Sequence, residues 1–148
     1  MSSTVLIASD HRGVALKAQL VAWMKAHGFD PQNLGTHTEE RCDASDFASQ
    51  LAQEIASGKA QRGVLICGTG QAMAMTANRY RAVRAALCTD TTTTRLTRQH
   101  NDANVLVLGA DIIGGAVAEN CLEVFLATAF LGGRYAKRLD KLTALGGL

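Results

Sequence analysis

Gly63-Val64-Leu65-Ile66-Cys67-Gly68-Thr69-Gly70 is the stretch that decides the fold. Its first five residues carry no charge and show no polar alternation, which is the pattern of a short strand buried on both faces. The run stops at two glycines, and a helical pattern follows over about Gln71 to Asn78. Buried strand, glycine turn and helix in that order belong to a parallel sheet covered by helices.

The same alternation repeats outward on both sides. Upstream, Val5-Leu6-Ile7-Ala8 ends at Ser9-Asp10 and precedes a helical pattern from Val14 to Ala26. Leu16, Leu20, Val21 and Met24 fall at helical spacing there, and His27-Gly28 stops it. Phe29 to Leu34 reads as a weaker strand. Asp43 to Ser57 reads as a helix, with Phe47, Leu51 and Ile55 spaced by four. Downstream, Val83 to Cys88 returns as a strand, and Asp90 suits the N-cap of a helix reaching about His100. Val105-Leu106-Val107-Leu108, closed by Gly109, is the fifth strand, and helices over roughly Gly115 to Ala129 and Tyr135 to Ala144 finish the chain. The expected fold is α/β: one Rossmann-like, three-layer α/β/α domain over residues 1–148 with a five-stranded parallel sheet.

Composition narrows the function classes. Hydrophobic residues make up 47% of the 148, charged residues 19%, and there is one proline, which excludes disordered, collagen-like and coiled-coil chains. Fifteen basic against thirteen acidic side chains give no electrostatic case for nucleic acid, and 5% aromatics give no base-stacking platform. The longest apolar stretch, Val124 to Leu131, is broken by Thr128 and falls short of the roughly 20 residues of a membrane helix. No basic segment precedes an apolar run near Met1, so no signal peptide is read there. Cys42, Cys67, Cys88 and Cys121 are irregularly spaced, as suits reduced thiols and not a disulfide framework or a zinc site. A cytoplasmic protein away from membranes is expected.

Ligands of such sheets bind beyond the carboxyl ends of the strands. The polar residues to weigh are Asp10 and His11 after the first strand, and Cys67 with Gly68, Thr69, Gly70 and Gln71 after the third. His100 and Asn101 precede the fifth strand, and Arg134 and Arg138 stand four apart on one helical face. Each has an ordinary structural role open to it. Asp10 and His11 suit a helix cap, Cys67 plain core, His100 a helix end, and the arginines a solvated face. The glycine turn lacks the lysine of a P-loop and the third glycine of a dinucleotide fingerprint. Taken together they suit proton abstraction beside a carbonyl. A cysteine at a strand end is followed at once by glycine-rich backbone and a helix N-terminus, free N–H groups can hold an oxyanion, histidine and carboxylate can move protons, and two guanidiniums can grip a phosphate. That is aldose–ketose chemistry.

Four segments carry a family resemblance that covers essentially the whole chain. They are Ile7-Ala8-Ser9-Asp10-His11-Arg12-Gly13, Cys67-Gly68-Thr69-Gly70 with Ala77-Asn78, Arg98 through Leu106, and Gly132-Gly133-Arg134 with Arg138. The chain resembles the type B ribose-5-phosphate isomerases and the allied galactose-6-phosphate isomerase subunits. The resemblance implies that Cys67 is the base between C1 and C2, and that Gly68, Thr69, Gly70 and Gln71 stabilise the cis-enediolate. It further implies that His100 opens the furanose ring with Asp10 nearby, that Asn101 holds sugar hydroxyls, and that His11, Arg134 and Arg138 contact the phosphate. It implies no metal or organic cofactor, and a homodimer or dimer of dimers whose active sites are shared, the His100 segment coming from the partner.

Five positions depart from the family pattern. Ala44 stands where a tyrosine is common, Ala72 and Ala74 replace a glycine and a serine, and Tyr135 replaces a histidine. Asp111 stands where an arginine usually assists the phosphate, a local change of two charge units expected to weaken the anion grip. The expected activity is isomerisation of ribose 5-phosphate to ribulose 5-phosphate. The alternatives are the same mechanism on another aldose phosphate or an unphosphorylated sugar, and a non-catalytic sugar-phosphate-binding relative.

Overall fold

The computed structural model describes residues 2–148. Five parallel strands, β1 (Thr4–Ser9), β2 (Asp30–Asn33), β3 (Gly63–Cys67), β4 (Ala85–Leu87) and β5 (Val105–Gly109), form one sheet in the order β2-β1-β3-β5-β4. Its helices are α1 (Val14–Ala26), α2 (Ala44–Ala56), α3 (Gln71–Ala77), α4 (Thr91–Asn101), α5 (Gly115–Ala127) and α6 (Arg134–Thr143). The three-layer parallel architecture expected from the sequence is what forms.

Each central strand is buried on both faces, so its residues sort by parity. Val5, Ile7, Val64, Ile66, Leu106 and Leu108 pack with Leu20, Met24, Leu122 and Phe125 of α1 and α5. Leu6, Ala8, Leu65, Cys67, Val105 and Val107 pack with Leu51, Ile55 and Met73 of α2 and α3. Burying a side chain of this kind contributes about 1.5–3 kcal/mol, which is why both faces need cover.

The edges differ from the sequence reading. β2 is Asp-Pro-Gln-Asn, almost fully exposed, and Phe29 and Leu34 lie outside it. Polar residues and a proline suit an edge strand that offers one side to water. β4 keeps only three residues of the expected Val83 to Cys88. Two asparagine side chains take over the hydrogen bonding around it. Asn78 accepts from the Ala85 N–H at 2.8 Å and donates to its carbonyl at 2.9 Å. Asn104 accepts from the Arg84 N–H at 2.7 Å and donates to the Ala82 carbonyl at 2.8 Å. Asp90 caps α4 as expected, its Oδ1 accepting from the Thr93 N–H at 2.6 Å. The helix after the glycine turn stops one residue early at Ala77, and α5 ends at Ala127, two residues before the expected Ala129.

The chain order sets where a ligand can enter. α1 leaves β1 on one face and α3 leaves β3 on the other, so their carboxyl ends flank an open crevice between adjacent strands.

Candidate active site

Cys67 ends β3 and is nearly buried, its sulfur accepting from the Gly70 N–H at 3.2 Å. That bond requires the chain to double back, which Gly70 does at φ +80°, a left-handed conformation open to a residue without a β-carbon. A β-carbon on Gly70 would also come within 2.5 Å of Leu87 Cδ1. Thr69 stays exposed at the tip, and its Oγ1 accepts from the Gln71 N–H at 3.3 Å. The turn thus presents a thiol, a hydroxyl and backbone donors at one place.

Asp10 follows β1, and since Ser9 pairs with Ile66, Asp10 and Cys67 end neighbouring strands. Its Oδ1 accepts from the Arg12 N–H at 2.9 Å, so it does cap the 3₁₀ turn His11–Gly13. His11 Nδ1 accepts from the Cys42 N–H at 3.3 Å and lies 3.9 Å from Cys42 Sγ. With Nδ1 engaged as an acceptor, Nε2 is the ring nitrogen left to meet a ligand.

Sequence reasoning gave no role to two cations at this end. Lys17 is buried, and its Nζ donates to the Thr36 carbonyl. Burial pushes its ammonium down to about 8, with the Cys42 thiol opposing. The signal was present, because Lys17, Leu20 and Met24 share the buried helical face. The other is Arg12, whose Nε lies 3.3 Å from Asp111 Oδ2. The charge of Asp111 is therefore met locally, and the two-unit deficit expected from the sequence is reduced.

The remaining predicted residues form a second group. His100 lies in the last turn of α4, its ring stacked on Tyr135 with centroids 4.5 Å apart. The guanidiniums of Arg134 and Arg138 sit 5.0 Å and 5.6 Å from the centre of the Tyr135 ring. Asn101, the last residue of α4, lines a cavity of about 510 Å³ beside β4, together with Arg84 and Leu142. Arg98, given no role beforehand, anchors this region. It donates to Asp102 Oδ1 at 2.9 Å, the Ala103 carbonyl at 2.7 Å and the Thr128 carbonyl at 3.0 Å.

Within one chain the two groups do not meet. Cys67 pairs with Gly109 at the carboxyl end of β5, whereas Asn101 leads through Ala103 into Val105 at its amino end. The length of β5, four steps from Val105 to Gly109, separates them by roughly 13 Å at about 3.3 Å per residue. Among the described residues, no three of His, Cys, Asp or Glu are placed to hold a metal ion, and no helix is long and apolar enough to cross a membrane.

Comparison with known proteins gives the family and the fold. Residues 5–142 match the Ribose/Galactose Isomerase family. The chain is 37% identical over 136 residues to ribose-5-phosphate isomerase B of Escherichia coli K12, covering 92% of this chain and 91% of that one. A ribose 5-phosphate isomerase structure from Thermotoga maritima superposes with a TM-score of 0.94 at 41% identity, covering 96% and 98% of the two chains. Ribose-5-phosphate isomerase B of Mycoplasma genitalium, solved with ribulose 5-phosphate bound, gives 0.89 at 35%, covering 95% and 93%. The chain belongs to the ribose/galactose isomerase family.

Proposed function

We propose that this member of the ribose/galactose isomerase family interconverts ribose 5-phosphate and ribulose 5-phosphate through a cis-enediolate, with Cys67 as the base. The observation that carries the reading is the Cys67–Gly70 turn at the crevice between β1 and β3. A thiolate there can take the C2 proton of an open-chain aldose and return it to C1. The negative charge that develops on the carbonyl oxygen is then met by the Thr69 hydroxyl and the backbone donors of the same turn. Isomerisation by this route needs no electron acceptor, because the hydrogen leaving C2 is balanced by the one arriving at C1.

The second group supplies what the turn lacks. His100 is suited to move a proton from the anomeric hydroxyl to the ring oxygen, Asn101 to hold hydroxyls, and Arg134 and Arg138 to bind the phosphate with His11. Because these lie at opposite ends of the sheet in one chain, a five-carbon sugar phosphate cannot reach both. The reading therefore includes a homodimer, or a dimer of dimers, in which His100, Asn101, Arg134 and Arg138 of one copy face Cys67 of another.

A second reading is the same chemistry on another aldose phosphate or an unphosphorylated sugar, which the carboxylate that Asp111 places beside the turn favours. Four- to six-carbon aldoses, with and without a terminal phosphate, assayed for ketose formation, decide between them. Ribose 5-phosphate should give the highest kcat/KM. A higher value on another aldose, phosphorylated or not, would shift the substrate while keeping the mechanism, and no turnover on any would remove the isomerase reading.

A further inference from the structure

Arg12 and Asp111 meet over one glycine, Gly68. The Arg12 N–H is held by Asp10 Oδ1 at 2.9 Å, and the Asp111 N–H donates to the Gly68 carbonyl at 2.9 Å. A β-carbon built on Gly68 would lie 2.9 Å from Asp111 Oδ2 and 3.0 Å from Arg12 Cδ. The ion pair thus rests on the first residue of the turn that carries Cys67 and Thr69, with no room for a side chain between. Both partners are about half exposed, at 54% each. An exposed pair contributes about 0–1 kcal/mol to folding, so stability does not account for its place. Arg134 and Arg138 of the same chain stand at the other end of the sheet, so Arg12 is this chain's own guanidinium over the turn, beside the pair that the proposed dimer brings from its partner.

We propose that Arg12 is a substrate-binding residue that takes the phosphate of a sugar phosphate seated on the Cys67–Gly70 turn, with Asp111 as its positioning partner. The proposal rests on the isomerase reading above and adds a specificity determinant to it. A guanidinium has five N–H donors, more than one carboxylate accepts, so engagement of Nε by Asp111 leaves donors for a second oxyanion. Asp111 also cancels the charge of Arg12 at long range. Anion binding on this wall then depends on directional hydrogen bonds at contact distance, which favours a terminal phosphate over a diffuse negative charge.

Steady-state kinetics on ribose 5-phosphate, with inorganic phosphate as a competing probe, tests this in the full-length protein. Arg12→Gln should raise KM and the inhibition constant of phosphate together by about tenfold or more, with kcat within about twofold, the loss of a charge-assisted contact. Asp111→Ala, which removes the acceptor that orients Arg12, should change both by a smaller factor, and should add nothing in the Arg12→Gln background, because its effect runs through Arg12. Unchanged constants in Arg12→Gln would overturn the proposal, and additive effects in the double variant would overturn the positioning role of Asp111. Should the wild type fail to turn over any sugar phosphate, the isomerase reading falls separately. Stabilisation of the fold by inorganic phosphate then decides, its loss in Arg12→Gln upholding Arg12 and its retention overturning it.

Discussion

His100 and Tyr135 stack with their planes 12° apart, and Tyr135 in turn lies under two arginines. One aromatic ring therefore couples the proposed ring-opening histidine to the proposed phosphate clamp. The Tyr135 hydroxyl also accepts from Arg134 Nη2 at 3.0 Å. Tyr135, where the resemblance leads one to expect a histidine, offers a flat ring with a good face for cations.

Tyr135→Ala should raise KM for ribose 5-phosphate by about fivefold or more, since each exposed cation–π contact is worth about 0.5–1 kcal/mol and two are lost. Tyr135→Phe keeps the face and should stay within about twofold of wild type. Equal effects of the two variants would mean that the hydroxyl, not the ring, organises the clamp.

Cys67→Ala should lower kcat by at least about 10²–10⁴-fold, the usual cost of losing a general base, while leaving the fold intact because the side chain is small and nearly buried. Circular dichroism and turnover of the purified variant check both halves. Near-wild-type kcat would move the base to another group, with Asp10 on the adjoining strand first in line.

The sheet and the order of its elements were legible because strands buried on both faces announce themselves as unbroken apolar runs. β2 and β4 were misjudged in length because edge strands owe their pairing to one neighbour and to side chains such as Asn78, which local pattern does not show. Of the candidate site, Cys67, Thr69 and Asp10 could be placed from chain position alone, since they end or follow central strands. The Arg12–Asp111 pair could not, because its partners are 99 positions apart and meet only once β1, β3 and β5 are side by side. Lys17 was passed over for a different reason, a charged residue on a helix being normally a solvated one.

Lys17 should leave a mark on stability. Its folded pKa of about 8 lies below the ordinary 10.5, so between these values the unfolded chain holds a proton that the folded chain has shed. Stability attributable to Lys17 therefore rises with pH across that window, and below it the full cost of about 3 kcal/mol is present. Lys17→Met removes the charge, so its advantage over wild type at pH 7 should shrink by pH 10. Urea midpoints at the two values measure this, and a constant gap would show that Lys17 is not desolvated.

His100→Asn should slow turnover of ribose 5-phosphate, which is mostly cyclic, far more than turnover of a tetrose phosphate that cannot close the same ring. General acid–base help with ring opening is worth about 10²–10⁴-fold, whereas the open-chain substrate needs none of it. Parallel losses on the two substrates would assign His100 to binding or to the proton transfer itself.

The separation of Cys67 from His100 within one chain leads to a test by mixing. Cys67→Ala and His100→Asn are each impaired in homodimers, since every shared site then carries one defect. In a mixed dimer, the site built from the Cys67 of one copy and the His100 of the other is intact, and the second site carries both defects. Random reassortment makes half the dimers mixed, with one good site in two, so activity should recover to about a quarter of wild type on the symmetry of a two-fold assembly. Subunits must exchange for this, so the variants are mixed after partial unfolding in urea and refolded together. Recovery far above the sum of the separate variants supports sites shared between copies. Activity no greater than that sum, in material shown by mass to contain mixed dimers, would place His100 and Cys67 in separate functions.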